Sequence, residues 1–282
     1  MTTASWVTDE GGHEEFSFAA FAKSPFYQRV NASLVDLSQV RPGQRVVDLA
    51  CGTGGVTKII LEKLRGARES LVIGVDLSTS ALKQAREELQ NAKSAMVEFV
   101  LGRAEQLSQL VNGKVDAVVF CNAIHLVPDK AQLSGEVFST LRSGGVFAFN
   151  TSFYEGSHPP ETEQWYRRWM FRSLRILRSE YGLSPVKAEK VEARQHLTVE
   201  QYTQILKERG FQIKEQRVNT VQVPLEGWVL ISQFEDWIMG VMPGVPLKEA
   251  SMALQKGATQ VFEEMNVEFI PRNWLEVVAV RP

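Results

Sequence analysis

Cysteine and histidine are scarce in this chain: two and four among 282 residues. Cys51 and Cys121 stand in or just after apolar runs with no metal-ligand spacing, which reads as buried free thiols in a reducing compartment. His13, His125, His158 and His196 show no paired spacing, so no metal is expected. No apolar run reaches the ~18 residues of a membrane-spanning helix. The opening MTTASWVTDEGGHEEF has neither a basic n-region nor an apolar h-region. A signal peptide is therefore not expected, and the reading is a soluble, cytoplasmic protein. Charge of one sign is lacking too. The net charge of -2 and pI of about 6.2 speak against a broad basic surface, and no nucleic-acid partner is expected. There is no internal repeat and no low-complexity tract. The apolar content of 44% suffices for a sizeable core.

Strand and helix patterns alternate through the first half. Strands are predicted at 45–50, 70–77, 95–102, 115–121 and 144–153. Helical spacing of apolar residues occupies 54–64, the stretch after Ser78 or Ser80, and 130–141. Near-continuous apolar strands joined by helices imply a parallel sheet covered on both faces. After Phe153 the rhythm breaks into a polar, aromatic, helix-like stretch. A helix with Thr198 as N-cap, a strand at 212–223, a second excursion and a final strand at 274–280 complete the pattern. The domain reading is an N-terminal helical segment 1–40, an α/β domain over 41–153, 197–223 and 266–282, and insertions 154–196 and 224–265. Both insertions leave near the carboxyl ends of the strands, where open α/β sheets bind ligands, and are expected to form a mainly helical cap.

The stretch VVDLACGTGG, Val46 to Gly55, ends a strand in a glycine turn. A dinucleotide fingerprint wants a third glycine where Thr57 stands. Asp48, just before the turn, would repel a pyrophosphate and suits a cation. Asp76 ends the second strand, where an acid accepts ribose hydroxyls. The acids together with the turn favour S-adenosylmethionine over a nicotinamide cofactor.

These residues resemble the class I S-adenosylmethionine-dependent methyltransferases, most closely the small-molecule branch with quinone, tocopherol and sterol enzymes. VVDLACGTGG, VIGVDLS, GRAEQL, DAVVFCNAIHLVPD and LRSGGVFAF follow that family's motifs in order between about Val30 and Ser152. The resemblance implies a Rossmann-like, mostly parallel sheet of seven strands with helices on both faces, plus the cap. It implies S-adenosyl-L-methionine as cofactor and S-adenosyl-L-homocysteine as product. Asp48 would face the methionine amino group, with the turn Ala50, Cys51, Gly52, Thr53 and Gly54 along the methionine part. Asp76 would hold the ribose, Leu77 pack on adenine, and Ala104 and Glu105 lie at the adenine ring. Asn122 and Ala123 would lie near the methionine carboxylate and the sulfonium. Tyr27, in a segment resembling the family's N-terminal closing piece, is a further contact. Two positions depart from the pattern: Ala50 replaces the first glycine, and Arg103 replaces an acid that bonds the adenine amino group. Arg103 is expected to stack on adenine or point to solvent.

His125, three residues after Asn122, is the candidate general base or substrate contact; the alternative is a partly buried histidine bonded to its surroundings. Glu155 and His158 are weaker candidates, and His13 and His196 read as surface. In Glu161–Gly182, Trp165, Trp169, Leu177 and Tyr181 are expected on one helical face and Arg168, Arg172 and Arg175 on another. That segment is either a cap helix with a solvated basic face or a site for an anionic substrate, a carrier protein or a membrane surface, within Arg167–Arg178. The expected activity is methyl transfer to a small, apolar or aromatic metabolite. The alternatives are a carrier-tethered or anionic acceptor, a cofactor-binding protein without transfer, and a nicotinamide dehydrogenase.

Overall fold

The computed structural model describes residues 16–66, 69–90, 95–186 and 196–282. The N-terminal stretch with His13, and 187–195 of the first insertion, lie outside the described residues. The strands are β1 Arg45–Leu49, β2 Leu71–Asp76, β3 Met96–Leu101, β4 Val115–Cys121, β5 Leu141–Thr151, β6 Gln212–Pro224 and β7 Phe269–Val280. The helices are α1 Ala19–Ala22, α2 Pro25–Leu37, α3 Gly55–Lys63, α4 Thr79–Leu89, α5 Leu107–Leu110, α6 Lys130–Thr140, α7 Pro160–Tyr181, α8 Val199–Glu208, α9 Leu225–Ile231, α10 Glu235–Val241 and α11 Leu247–Met265. No described helix is long and apolar enough to cross a membrane.

The chain falls into two compact units. The α/β unit holds the described residues 27–157, 196–221 and 273–282. Its seven-stranded sheet runs in the order β3-β2-β1-β4-β5-β7-β6. The pairings from β3 through β5 are parallel, and β7 runs antiparallel to β5. This is the expected α/β architecture. Side chains alternate across β1: Val47 and Leu49 join a core with Ile73, Phe120 and Phe149. Val46 points to the opposite face, against Leu34 of α2 and Ile60 and Leu61 of α3. By the same alternation Asp48 points toward that second face.

Three sequence expectations are corrected. β3 is an edge strand whose residues are exposed or half-buried, so it is not covered on both faces. β5 begins at Leu141, which pairs with Val115 of β4 ahead of a register shift; further along, Gly144 N–H donates to the Arg281 carbonyl, and Arg281 N–H to that of Gly145. β7 begins at Phe269, five residues before the predicted 274. Pro271, Arg272 and Asn273 interrupt the apolar pattern and hide the strand's first half.

Local signals set several helix starts. Ser78 caps α4 by accepting the Ala81 N–H. Asp129 caps α6, and Thr198 and Gln201 form a reciprocal capping box at α8.

The helical unit holds 16–26, 158–186 and 222–272 of the described residues. α7 lies along α11. Gly257 allows the close approach, because a Cβ there would collide with Ser173. Trp165, Trp169 and Trp228 are buried together, with ring centroids 4.5–5.6 Å apart. Trp237 stacks on Trp169, whose indole N–H donates to the Leu254 carbonyl at 2.8 Å. The face expected for the arginines is also corrected. Arg172 turns toward α11, bonding Glu264 at 2.5 Å and Gln260 at 3.3 Å. Tyr181 is half-buried at the margin of the tryptophan face.

Candidate active site

The carboxyl ends of β1, β2 and β4 make one edge of the α/β unit. β1 breaks at Ala50, whose φ of 54° lies in the left-handed region; Gly52 and Gly54 follow at 52° and 87°. The turn then starts α3, with Gly54 as its N-cap. Gly54 is small for a second reason: a Cβ there would come within 3.0–3.3 Å of Leu89 and Ala85 on α4. Ala50 stands exposed at the edge, while Gly52 and Thr53 are half-buried and Cys51 is buried. Burial and the nearby acids push the Cys51 thiol well up, so it stays protonated.

Two carboxylates flank this turn. Asp48 is buried and accepts a 2.6 Å bond from the Thr57 hydroxyl. Burial raises its pKa to about 7; the Thr57 bond offsets part of that, and the charge of Asp76 adds to it. Asp76 accepts the Gly52 and Ser78 N–H groups, each at 2.8 Å. Its pKa is raised by burial despite those bonds. Among the described residues neither acid makes a salt bridge to lysine or arginine. The two acids therefore meet at this turn without an ion-pair partner, and the opposing charge felt at Cys51 is that of Arg86. Leu77, next to Asp76, is 49% exposed and offers an apolar shelf at the same edge.

The end of β4 mirrors the end of β1. Asn122 is left-handed at φ 48° and is held there by its neighbours. Its N–H reaches the Asn150 side-chain oxygen at 2.7 Å, and its own side-chain oxygen accepts the Ser152 N–H at 2.9 Å. The Tyr27 hydroxyl bonds Asn31 and Asn122 in the same buried cluster, and burial pushes this phenol far up. Asn150 Nδ2 donates to Asn31 at 3.4 Å. Tyr27 is only 4% exposed and is bonded to Asn122. Ala123 is half-buried and caps the next short 3-10 turn, which carries His125.

His125 stacks on Phe153 with ring centroids 4.0 Å apart, and its Nδ1 lies 3.3 Å from the Thr151 hydroxyl. Thr151 Oγ1 also accepts the Phe153 N–H. If Nδ1 carries the ring proton, it donates to Thr151 and leaves Nε2 as an acceptor. Ala104 begins the turn after β3, and Arg103 pairs with Glu105 at 3.2 Å with its side chain 45% exposed. Glu155 is exposed, and His158 belongs to the helical unit, where it stacks on Tyr166.

Sequence reasoning missed Thr57, Asn150 and Ser152. Thr57 served only to exclude a dinucleotide fold, yet its hydroxyl is the one side-chain partner Asp48 has among the described residues. A signal was present for Asn150: a polar residue directly after the apolar run Val146–Phe149, at the carboxyl end of a strand.

Residues 41–210 match a family described as a methyltransferase domain. The chain belongs to this methyltransferase family. Its members use S-adenosylmethionine, and an uncompensated pair of acids at a glycine turn fits that cationic ligand. Among curated relatives, the chain is 30% identical over 148 residues to the demethylmenaquinone methyltransferase of Listeria welshimeri, covering 48% of this chain and 61% of that one. The chain thus spans about three fifths of the length of such relatives. Among solved structures it is similar to Haemonchus contortus phosphoethanolamine N-methyltransferase 2 in complex with phosphomonomethylethanolamine and S-adenosylhomocysteine. That likeness has a TM-score of 0.57 at 19% identity, covering 95% of this chain and 56% of that one. It is also similar to the cyclopropane synthase MmaA2 of Mycobacterium tuberculosis, with a TM-score of 0.55 at 14% identity, covering 90% and 84%. At those identities the likeness is one of fold.

Proposed function

We propose that this methyltransferase moves the methyl group of S-adenosylmethionine to a small, apolar or aromatic metabolite. The observation that carries the cofactor half is the pair Asp48 and Asp76, set about a left-handed turn with no cation of their own. The acceptor half draws on the demethylmenaquinone relative, whose named substrate is apolar and aromatic. When bound, S-adenosylmethionine supplies a methyl carbon on positively charged sulfur and leaves as S-adenosylhomocysteine.

The chain's own residues bind and orient. In this reading Asp48 faces the ammonium group. Asp76 accepts the ribose hydroxyls with the lone pairs left free by Gly52 and Ser78. Leu77 covers one face of the adenine, with the backbone at Ala104 at its edge. The left-handed ends at Ala50 and Asn122 bring backbone rather than side chains against the methionine part. His125 takes the acceptor's proton on Nε2 where the nucleophile arrives protonated, and the Thr151 hydroxyl oxygen keeps accepting the hydrogen bond from Nδ1–H, which orients the imidazolium.

Incubation with methyl-labelled S-adenosylmethionine and a panel of quinols, phenols and amines tests the proposal. Label should appear in the extract of an apolar aromatic acceptor. Binding of the cofactor with no transfer to any of them would overturn the acceptor half. His125→Ala should lower transfer to a protonated acceptor by about 10²–10⁴-fold with little change in cofactor affinity. Full activity would reject the base.

A further inference from the structure

α7 turns two unlike faces outward and inward. Thr162, Trp165, Trp169, Ser173, Ile176 and Leu177 are buried. At positions i, i+3, i+7 and i+10 on the other side stand Arg168, Phe171, Arg175 and Arg178, all exposed. Phe171 is 69% exposed, at the centre of a cationic stripe. Arg167, 83% exposed, flanks the stripe and meets Glu163 only at 3.8 Å. Arg178 touches just the Ser184 hydroxyl, at 3.3 Å. Arg172, the arginine that does find a strong carboxylate partner, points away toward α11. The stripe holds three arginines and no acid, with Arg167 beside it, on a chain whose net charge is -2.

We propose that this face of α7 seats the protein on an anionic lipid surface, with the guanidinium groups on headgroup phosphates and Phe171 in the acyl boundary. Charge complementarity names an anionic partner, and Arg forks suit phosphate. The shape selects among anions. From Arg168 to Arg178 the ridge is about 15 Å long at the helical rise and one helix wide. It offers far less than the ~800 Å² that each partner buries in a stable protein complex. A soft surface asks for no complementary shape, and it gives an exposed phenyl ring apolar surroundings that water does not. The surface rests on the proposed function for its purpose: an apolar acceptor partitions into lipid.

Sedimentation with vesicles tests it. The full chain should bind phosphatidylcholine vesicles containing about 30 mol % phosphatidylglycerol, ignore pure phosphatidylcholine, and release as salt rises above ~0.1 M. Each charge removed should cost about fivefold, so the triple variant Arg168→Gln, Arg175→Gln, Arg178→Gln should bind about 100-fold more weakly. Phe171→Ser should cost about tenfold, and Arg65→Gln, a surface control, should cost nothing. Wild type failing to bind anionic vesicles, or the triple variant binding as wild type, would overturn the proposal. So would retention on polyglutamate without vesicle binding, which would point to an acidic protein. Cofactor affinity measured without lipid should be equal in all variants. Its loss in wild type would count against the methyl-transfer reading and leave the surface untouched.

Discussion

The two units bury different things. The α/β unit packs valine, isoleucine, leucine and phenylalanine on both faces of its sheet, and buries a cluster of polar groups around the carboxyl ends of the strands, Asp48, Thr57, Asn31, Asn150 and Ser152, besides scattered ones such as Ser70, Ser134 and the Arg217-paired Glu276. The helical unit buries tryptophans, whose indoles stack on one another. Burying a carboxylate beside another costs free energy that burying an indole does not. Polar burial at the strand ends is therefore the mark of a site, and indole burial the mark of a packed core.

The comparison breaks if the two kinds of burial respond alike. Trp165→Ala should give the largest loss of stability, about 3–5 kcal/mol, as expected for removing a buried indole. Urea unfolding followed by tryptophan fluorescence measures it, and cofactor affinity at low denaturant should stay within about twofold. A large loss of affinity would mean that the core and the site are not separable in this way. Asp76→Ala should do the reverse. The charge-assisted bonds to Gly52 of the turn and to Ser78 at the start of α4 disappear with those to the ribose, and cofactor binding should weaken at least ~100-fold with a smaller loss of stability. Unchanged affinity would contradict the assigned site. The smallest effect sharpens the turn itself. Ala50→Gly relieves a left-handed alanine and should be neutral or stabilising by about 1 kcal/mol, seen as a small rise in the urea midpoint.

Legibility followed the same division. Asp48, the glycines and Asp76 announce themselves because a strand that must end in a tight turn beside a charge has few residue choices. The parallel strands were readable because burial on both faces leaves uninterrupted apolar runs. β3 misled because its apolar content is high although it is an edge strand. The first half of β7 was hidden by a proline and an arginine. Arg172 could not be placed from helical spacing alone, since its direction depends on Glu264, 92 positions further on. Thr57 and Asn150 were visible as residues, but their roles exist only once α3 and β5 are packed.

Asp48 gives the most direct test. Its carboxyl has a pKa of about 7, above the ordinary value of 3.8, because burial and Asp76 oppose its charge. The folded, cofactor-free protein thus holds a proton that the unfolded chain releases near pH 4, and this group's share of stability falls as pH rises from about 4 to 7. A cationic ligand favours the ionised form, so its binding should expel that proton. Calorimetric titration with S-adenosylmethionine at pH 6 and pH 8, in buffers of different ionisation enthalpy, reads this directly. Binding should be tighter at pH 8 by up to about tenfold, with close to one proton released at pH 6, and Asp48→Asn should abolish both effects. No binding of S-adenosylmethionine, or tighter binding of NAD, would contradict the assignment of this edge to a cationic methyl donor.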